Sequence, residues 1–457
     1  MPDLDRLADR KLAGHVVDGG RLRALVLELW QRTRMDWGFV TDRLAATFRR
    51  ETWIGAHDRR FVGETLYGLV RHLRRVDAAL DRGRKTKRAP RDLERLLALL
   101  VLDGLIEPTR ARQLEPELDW NAVAGIDDAI AGERDPAARI ALAASLPDWL
   151  AERFVAEWGA RAEPLARALN ERAPMTVRAN LIVGDRDALA AELARANLTT
   201  RPGAWSDTAL VVESRTNLFA LDAFKRGALE VQDEGSQLLA ELATAGLAAG
   251  KPLVIDLCAG AGGKTLAIAA RIGNRGRIVA TDVDSSKLEE LRRRARRAKV
   301  STARAVELES GAWPVALDGM RGKADVVLVD APCSGIGALR RNPEARWRLR
   351  EADLPGFAQR QREILGNAAQ LLAPGGRLAY ATCTLFRIEN EDVVDAVVAD
   401  RPELERVPLA AVLGDRAARF QRDGDPTTFI VAPDSHGTDG FFATVLRKAS
   451  AGPTDNR

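Results

Sequence analysis

Two cysteines stand in similar surroundings, Asp330-Ala331-Pro332-Cys333-Ser334 and Ala381-Thr382-Cys383-Thr384. Each follows a short apolar run, Val326 to Asp330 or Arg377 to Thr382, so each thiol is expected just past a strand end. In a cofactor domain that is where a nucleophile is mounted, and the thiolate is the reactive form. Two such thiols suggest one that attacks and one that helps release. The third cysteine, Cys258, falls inside a glycine-rich turn and is best read as a small core hydrophobe.

Taken alone the pair reads equally as small core hydrophobes; one chemistry that such thiols could serve is methylation of cytosine. C5 of cytosine is a poor nucleophile. A thiolate added at C6 makes an enamine that can take a methyl group at C5. The scheme needs the thiolate, a donor at N3 and a methyl sulfonium, then loss of the C5 proton and expulsion of the thiolate. Cys383 could supply the thiolate, and Asp330 the donor if it is protonated or shares a proton.

Upstream lies Val254-Ile255-Asp256-Leu257-Cys258-Ala259-Gly260-Ala261-Gly262-Gly263-Lys264-Thr265, a glycine-rich turn between an expected strand and helix. Glycines let a backbone approach a ligand, and the helix start offers free N–H groups. The phosphate-loop spacing fails because its first glycine would fall at Cys258. The dinucleotide spacing fails because its third would fall at Thr265, which weakens a dehydrogenase reading. What remains is a tight turn preceded by Asp256, with a second acid, Asp282, ending the next strand and able to grip ribose hydroxyls. This arrangement suits S-adenosylmethionine.

These sites need a scaffold, and from about Gly235 the pattern is strand, turn, helix, repeated. Leu253 to Leu257, Ile278 to Asp282, Val326 to Asp330 and Arg377 to Thr382 are the apolar runs of a doubly wound parallel sheet. Phe429 to Val431 and Phe441 to Leu446 could pair as a closing hairpin. Before this, Met175 to Ile182 and Ala209 to Glu213 read as strands and Asp187 to Ala196 as a helix, a small α+β module. Residues 1 to about 140 read as helical, with Leu22, Leu25, Val26 and Leu29, and Leu93, Leu96, Leu97 and Leu100, at helical spacing. The expected architecture is therefore multi-domain: an all-α module over 1–140, a small α+β module over 141–234 and an α/β doubly wound domain over 235–457.

Composition narrows the setting. Three cysteines without a Cys-x-x-Cys pair argue against a disulfide framework and for a reducing compartment, the cytoplasm. No apolar stretch reaches about 18 residues, the N-terminus lacks a signal-like core, and four histidines show no ligand spacing, so neither membrane nor metal is expected. Net charge is only +4, yet basic residues clump at Arg71 to Arg95 and at Arg292, Arg293, Arg294, Arg296 and Arg297. Such clumps attract polyanions, and equally read as solvated helix faces.

The chain resembles the RNA 5-methylcytosine methyltransferases of the Nop/Sun and Fmu group. The likeness rests on Gln232-Asp233-Glu234-Gly235-Ser236-Gln237, the turn Cys258 to Lys264, Asp330 to Gly335, Arg340-Arg341-Asn342-Pro343 with Trp347, Pro374-Gly375-Gly376, Thr382-Cys383-Thr384 with Glu389-Asn390-Glu391, and Asp439-Gly440-Phe441-Phe442. It implies a class I, Rossmann-like domain in which Cys383 is the nucleophile, Cys333 assists release and Asp330 meets the cytosine. It implies S-adenosyl-L-methionine held by Cys258, Ala259, Gly260, Ala261, Gly262, Gly263, Lys264, Asp282 and Asp330, with Lys264 also near the base. Two departures stand out. Ala261 replaces a proline, and Glu309 stands nearest to where the family often has an aspartate for the adenine. Asp58-Arg59-Arg60-Phe61-Val62 with Tyr67-Gly68 and Arg71 is similar to a NusB-like RNA-binding module, and Arg178-Ala179-Asn180 to the family's small RNA-binding module.

The resemblance implies methylation of cytosine C5 in RNA, the small-subunit (16S) ribosomal RNA being preferred, through a Cys383–C6 adduct; a monomer is expected. Transfer RNA is the alternative substrate. A non-catalytic RNA-binding or ribosome-assembly factor is the alternative class, and the intact Cys333, Cys383, Asp330 and glycine turn argue against it.

Overall fold

The computed structural model describes residues 2–214, 216–247, 250–309 and 315–450, with side chains from residue 8. The chain forms two compact units, Met1–Glu171 with Leu339–Glu351, and Arg172–Ala338 with Ala352–Arg457.

The first unit is helical. Leu25, Val26 and Leu29 of α1 (Gly20–Asp36) pack with Phe61, Leu66 and Leu69 of α2 (Ala56–Gly83) and Leu96, Leu97 and Leu100 of α3 (Asp92–Leu102), all buried. The i, i+3, i+4 spacing of these residues makes one apolar stripe per helix, and facing stripes remove each other from water. The basic loop before α3 closes on an acid. Glu94 is fully buried, accepts a hydrogen bond from the Arg91 backbone N–H at 2.8 Å, and is ringed by the guanidiniums of Arg84, Arg88 and Arg91. Arg95 is paired with Asp77 and Arg75 with Asp127. Much of the basic clump is thus internally neutralised.

Residues 339–351 leave the second unit and pack within this one. Arg346 is wholly buried, its Nη1 donating to Ala144 O at 2.9 Å and Asn170 Oδ1 at 2.7 Å. Trp347 Nε1 donates to Val70 O at 2.7 Å, and Arg71 donates to Arg340 O at 3.1 Å. Burial lowers the Arg346 guanidinium to about 9. The Arg340 to Trp347 motif therefore serves here as a plug whose donors satisfy orphan carbonyls of the helical core.

In the second unit, β1 (Met175–Ala179), β2 (Thr200–Pro202), β3 (Ala209–Val212) and β4 (Leu229–Val231) form an antiparallel sheet ordered β2-β3-β1-β4, with the helix Arg186–Arg195 packed on it through Leu189 and Leu193. The larger sheet contains β5 (Leu253–Asp256), β6 (Arg277–Asp282), β7 (Ala303–Glu307), β8 (Ala324–Asp330), β9 (Leu372–Thr382), β10 (Leu404–Arg406), β11 (Gln421–Arg422), β12 (Asp425–Val431) and β13 (Phe441–Lys448). Its order is β11-β12-β13-β9-β8-β5-β6-β7, with β10 on β13. The run β9-β8-β5-β6-β7 is parallel, and β13, β12 and β11 continue it antiparallel.

Alternate residues of the parallel strands feed two cores. Ile255, Val279, Val327, Val329, Leu378 and Tyr380 face Ala358 and Leu365 of α7 (Leu354–Leu371) and Val393 and Val394 of α8 (Glu391–Asp400). Val254, Ile278, Ala280, Val326, Leu328 and Ala379 face Ala240 and Ala243 of α4 (Glu234–Thr244), Leu266 of α5 (Gly263–Arg271), and Leu288 and Leu291 of α6 (Ser285–Arg297). Both faces being covered explains why these strands read as unbroken apolar runs. The chain adds β6 and β7 on one side of β5 and then returns to place β8 on the other. Such a reversal opens a crevice at the carboxyl ends of β5 and β8, where open α/β sheets bind ligands.

Glu94→Gln should destabilise the full chain by about 3 kcal/mol, because three guanidiniums lose their common buried partner. Burial opposes the Glu94 charge, but hydrogen bonds from Arg88 and Arg91 outweigh it and lower the carboxyl from 4.5 to about 2. Its contribution is therefore complete above 4.5 and lost as pH falls toward 2. Thermal melts of both proteins should converge over that range.

Candidate active site

The crevice is built from two loops that follow β5 and β8. After β5 the chain turns sharply, with Gly260 at φ +53° and Gly262 at φ +85°. A Cβ on Gly262 would lie 2.6 Å from Leu291 Cγ, so this position needs glycine for both reasons. Gly260 faces open space, with nothing within 4 Å of an added Cβ. Gly260 N donates to Asp282 Oδ2 at 2.9 Å and Ala259 N to Thr281 O at 2.8 Å, which locks the turn to the end of β6. Ala261, where the family has proline, is steadied from outside: Arg294 Nη1 donates to its carbonyl at 2.8 Å. Arg294 and Arg297 are turned onto buried Glu230 of β4, so part of the second basic clump is also spent internally.

Asp256 is fully buried. Thr265 Oγ1 donates to its Oδ2 at 2.6 Å, and among the described residues no donor reaches Oδ1. Burial pushes this carboxyl up to about 7, with the Thr265 hydroxyl opposing. Asp282 is half-buried at the mouth, and the next residue, Val283, is an exposed apolar side chain. A fixed turn with open space at Gly260, an orphan carboxylate oxygen and an acid beside an exposed valine fit S-adenosylmethionine. The open turn suits its methionine portion, and the acid–valine pair its ribose and adenine. Glu309 lies exposed, two residues beyond β7. Val283 escaped the sequence reading because a lone valine after an acid carries no pattern.

Beyond β8, Asp330 Oδ2 accepts from Lys264 Nζ at 2.6 Å. Burial opposes the Lys264 charge, but Asp330 outweighs it and raises the ammonium above its ordinary value. The Lys264 ammonium also lies 5.7 Å from the Phe441 ring centre. Cys333 Sγ and Cys383 Sγ are 3.4 Å apart. The hydrogen bond to Cys383, followed by burial, holds the Cys333 thiol well above its usual range. Burial likewise raises Cys258, which packs against the sheet core. The structure thus brings Cys333 and Cys383 into contact and pairs Lys264 with Asp330.

The loop after Cys333 is fastened by backbone contacts. Gly337 N donates to Cys383 O at 2.9 Å, and Gly440 N to Gly337 O at 2.8 Å. Asp233 accepts from Asp439 N at 3.2 Å and from Gly235 N at 2.8 Å. Motifs far apart in sequence therefore meet here.

Residues 248–447 match the family model for the 16S rRNA methyltransferase RsmB/F, and residues 146–218 match the ferredoxin-like domain model of RsmF/B-like methyltransferases. A "Probable ribosomal RNA small subunit methyltransferase B" of Synechocystis is 30% identical over 86% of this chain and 92% of its own length. The ribosomal RNA small subunit methyltransferase B of Vibrio cholerae is 33% identical over 66% of this chain and 65% of its own. The crystal structure of PH0851 superposes with a TM-score of 0.73 at 25% identity, covering 93% of this chain and 97% of that one. NSun6 from Pyrococcus horikoshii with SFG shares the fold, with a TM-score of 0.58 at 21% identity over 67% of this chain and 99% of its own. The chain belongs to the RsmB/F methyltransferase family. It is an S-adenosylmethionine-dependent methyltransferase with a helical region, a small ferredoxin-like domain and a Rossmann-like domain. Among the described residues no helix is long and apolar enough to cross a membrane.

Gly262→Ala should weaken S-adenosylmethionine binding about tenfold or more, since a non-glycine residue at this φ costs about 1–3 kcal/mol. Calorimetric titration of the cofactor into the folded variant would measure it.

Proposed function

We propose that this enzyme methylates C5 of a cytosine in structured RNA, with small-subunit ribosomal RNA as its substrate. The observation that carries the chemistry is the contact between two thiols, 3.4 Å apart at the ends of adjacent parallel strands, beside the Lys264–Asp330 pair. The relatives named for small-subunit ribosomal RNA support the substrate. The match of residues 146–218 to a ferredoxin-like domain supports reading 141–234 as an RNA-contacting module, between a helical module over 1–140 and a catalytic domain over 235–457.

In this reading the target base leaves its stack to enter the crevice. Cys383 adds as thiolate to C6, forming a carbon–sulfur bond and moving the electron pair toward N3 and C5. Lys264 and Asp330 share a proton at bonding distance and supply it to N3, so the adduct does not carry a full negative charge. S-adenosylmethionine, when held by the Cys258 to Lys264 turn, Asp282 and Asp330, with Val283 and Glu309 toward the adenine, supplies an electrophilic methyl group. Water then takes the C5 proton, the C5–C6 double bond re-forms as the carbon–sulfur bond breaks with its electron pair returning to Cys383, the N3 proton goes back to the Lys264–Asp330 pair, and Cys333, in contact with the leaving sulfur, assists release by giving it a proton.

Methyl transfer from labelled S-adenosylmethionine should be measured on separate pools of ribosomal and transfer RNA, with bisulfite mapping. The expected outcome is a 5-methylcytosine in small-subunit ribosomal RNA, abolished by Cys383→Ala, and a trapped protein–RNA adduct with Cys333→Ala. Label confined to transfer RNA would overturn the substrate and keep the chemistry. No label in any pool, assembling particles included, would overturn the enzymatic reading.

A further inference from the structure

Glu389 lies between β9 and α8 and is fully buried. Its Oε2 accepts from Ser334 N at 2.8 Å and from Gln361 Nε2 at 3.0 Å, and its Oε1 accepts from Ser334 Oγ. Gln361 Nε2 also donates to Pro332 O at 3.0 Å. Ser334 Oγ lies 2.8 Å from Thr384 Oγ1. The next residue, Asn390, accepts from Thr382 Oγ1 at 2.6 Å and donates to Thr384 O at 3.2 Å. Tyr380 OH donates to Glu389 O at 2.6 Å. The residues flanking both cysteines are therefore tied to Glu389 and Asn390, while the thiols stay free to meet each other.

The charge itself needs a reason. Hydroxyls or an amide could hold the same turn without burying a carboxylate, and among the described residues no cation pairs with Glu389. Among the described residues every contact to its carboxylate oxygens is a donated hydrogen bond, the pattern an acceptor-only group receives. The group its charge serves is the thiol on the turn that it holds. We propose that Glu389 is the positioning residue of the thiol pair, fixing the Pro332-Cys333-Ser334 turn against the end of β9 so that Cys333 meets Cys383. This rests on the reading of the two thiols as the reacting pair. The Cys383 hydrogen bond is the first cause that raises Cys333, followed by burial and the charges of Cys383 and Glu389. One sulfur is thereby kept as a proton-bearing neighbour, and the two are not ionised together. The other ionisable groups around them are Asp330 and Lys264, paired with each other; Tyr380 and Cys258, both raised by burial; buried Asp256; and Glu391, held by Arg422 at 3.2 Å and Arg387 at 3.9 Å.

The test follows alkylation of Cys333 by iodoacetamide against pH in the full chain, site by site by mass spectrometry, without RNA. With Glu389→Gln the Cys333 midpoint should fall, read as several-fold faster alkylation at a fixed pH below it. Gln361→Ala keeps the charge but cuts the bridge to Pro332, so the midpoint should hold while Cys333 is alkylated several-fold faster at every pH. A lowered melting temperature with both Cys333 profiles unchanged would overturn the proposal and leave Glu389 a packing residue. If Glu389→Gln does not fold, an unaltered Gln361→Ala rate would still overturn the positioning role. Because no methyl transfer is read, failure here is distinct from failure of the RNA chemistry.

Discussion

The parallel pairing of β8 with β9 sets Asp330 level with Ala381, and the rest of the site follows from that register. Both chains leave the sheet within two residues of this line, so Cys333 and Cys383 emerge side by side. Parallel strands cannot be joined by a tight turn, and the long crossover through α7 is what allows two separate loops to reach one point. A slip of one residue would turn Val327, Val329, Leu378 and Tyr380 away from α7 and α8 and out of their core. The register is therefore fixed by apolar burial on both faces, and the two sulfurs inherit their placement from packing that lies well behind them.

Electrostatics then divide the labour among buried ionisable groups. Asp330 holds the Lys264 ammonium charged against its burial, while Asp256, whose side chain has a threonine hydroxyl as its one partner among the described residues, is pushed up to about 7. The three cysteines differ by environment more than by position. Cys258 has apolar neighbours and acidic residues about it, both of which oppose thiolate formation. Cys333 has a second thiol in contact and a carboxylate behind its turn. The proposed chemistry, in which one sulfur attacks and its neighbour carries a proton, calls for such asymmetry.

The sequence made the scaffold legible wherever burial was complete. Leu253 to Leu257, Ile278 to Asp282, Val326 to Asp330 and Arg377 to Thr382 are strands because both faces are covered, and Phe429 to Val431 does pair antiparallel with Phe441 to Ala443. β7, with the sequence Ala303-Arg304-Ala305-Val306-Glu307, was not legible, because an edge strand that is half exposed carries no apolar run. β4 is three residues long, and its central Glu230 is buried only because Arg294 and Arg297 reach it from α6. The same long-range pairing explains why a run of arginines in sequence overstated the exposed charge. Glu94 and Glu230 were invisible as counterions until the fold brought them in. Val283 was passed over and Glu389 read only as part of a shared motif for a related reason: one is an apolar residue left exposed, the other an acid made buried, and neither shows in residue type.

The glycines of the shared motifs fall into two physical classes, and the distinction bears on how such motifs should be read. Gly260 faces open space in the cofactor turn, so its lack of a side chain leaves room for a ligand. Gly235, Gly337 and Gly440 face protein. A Cβ on Gly337 would lie 2.2 Å from Gly440 O, and one on Gly440 would lie 2.9 Å from Gly337 Cα. One on Gly235 would lie 2.7 Å from the Phe441 ring. Gly337 and Gly440 let the loop after Cys333 and the turn before β13 close on one another by backbone contact, and Gly235 lets the start of α4 approach the Phe441 ring. Gly337 N bonds to the carbonyl of Cys383 itself, so this close approach positions the thiol directly. Motif segments that look like several ligand contacts in sequence are thus partly one interlocked backbone, whose task is to hold two sulfurs in contact at the mouth of the crevice.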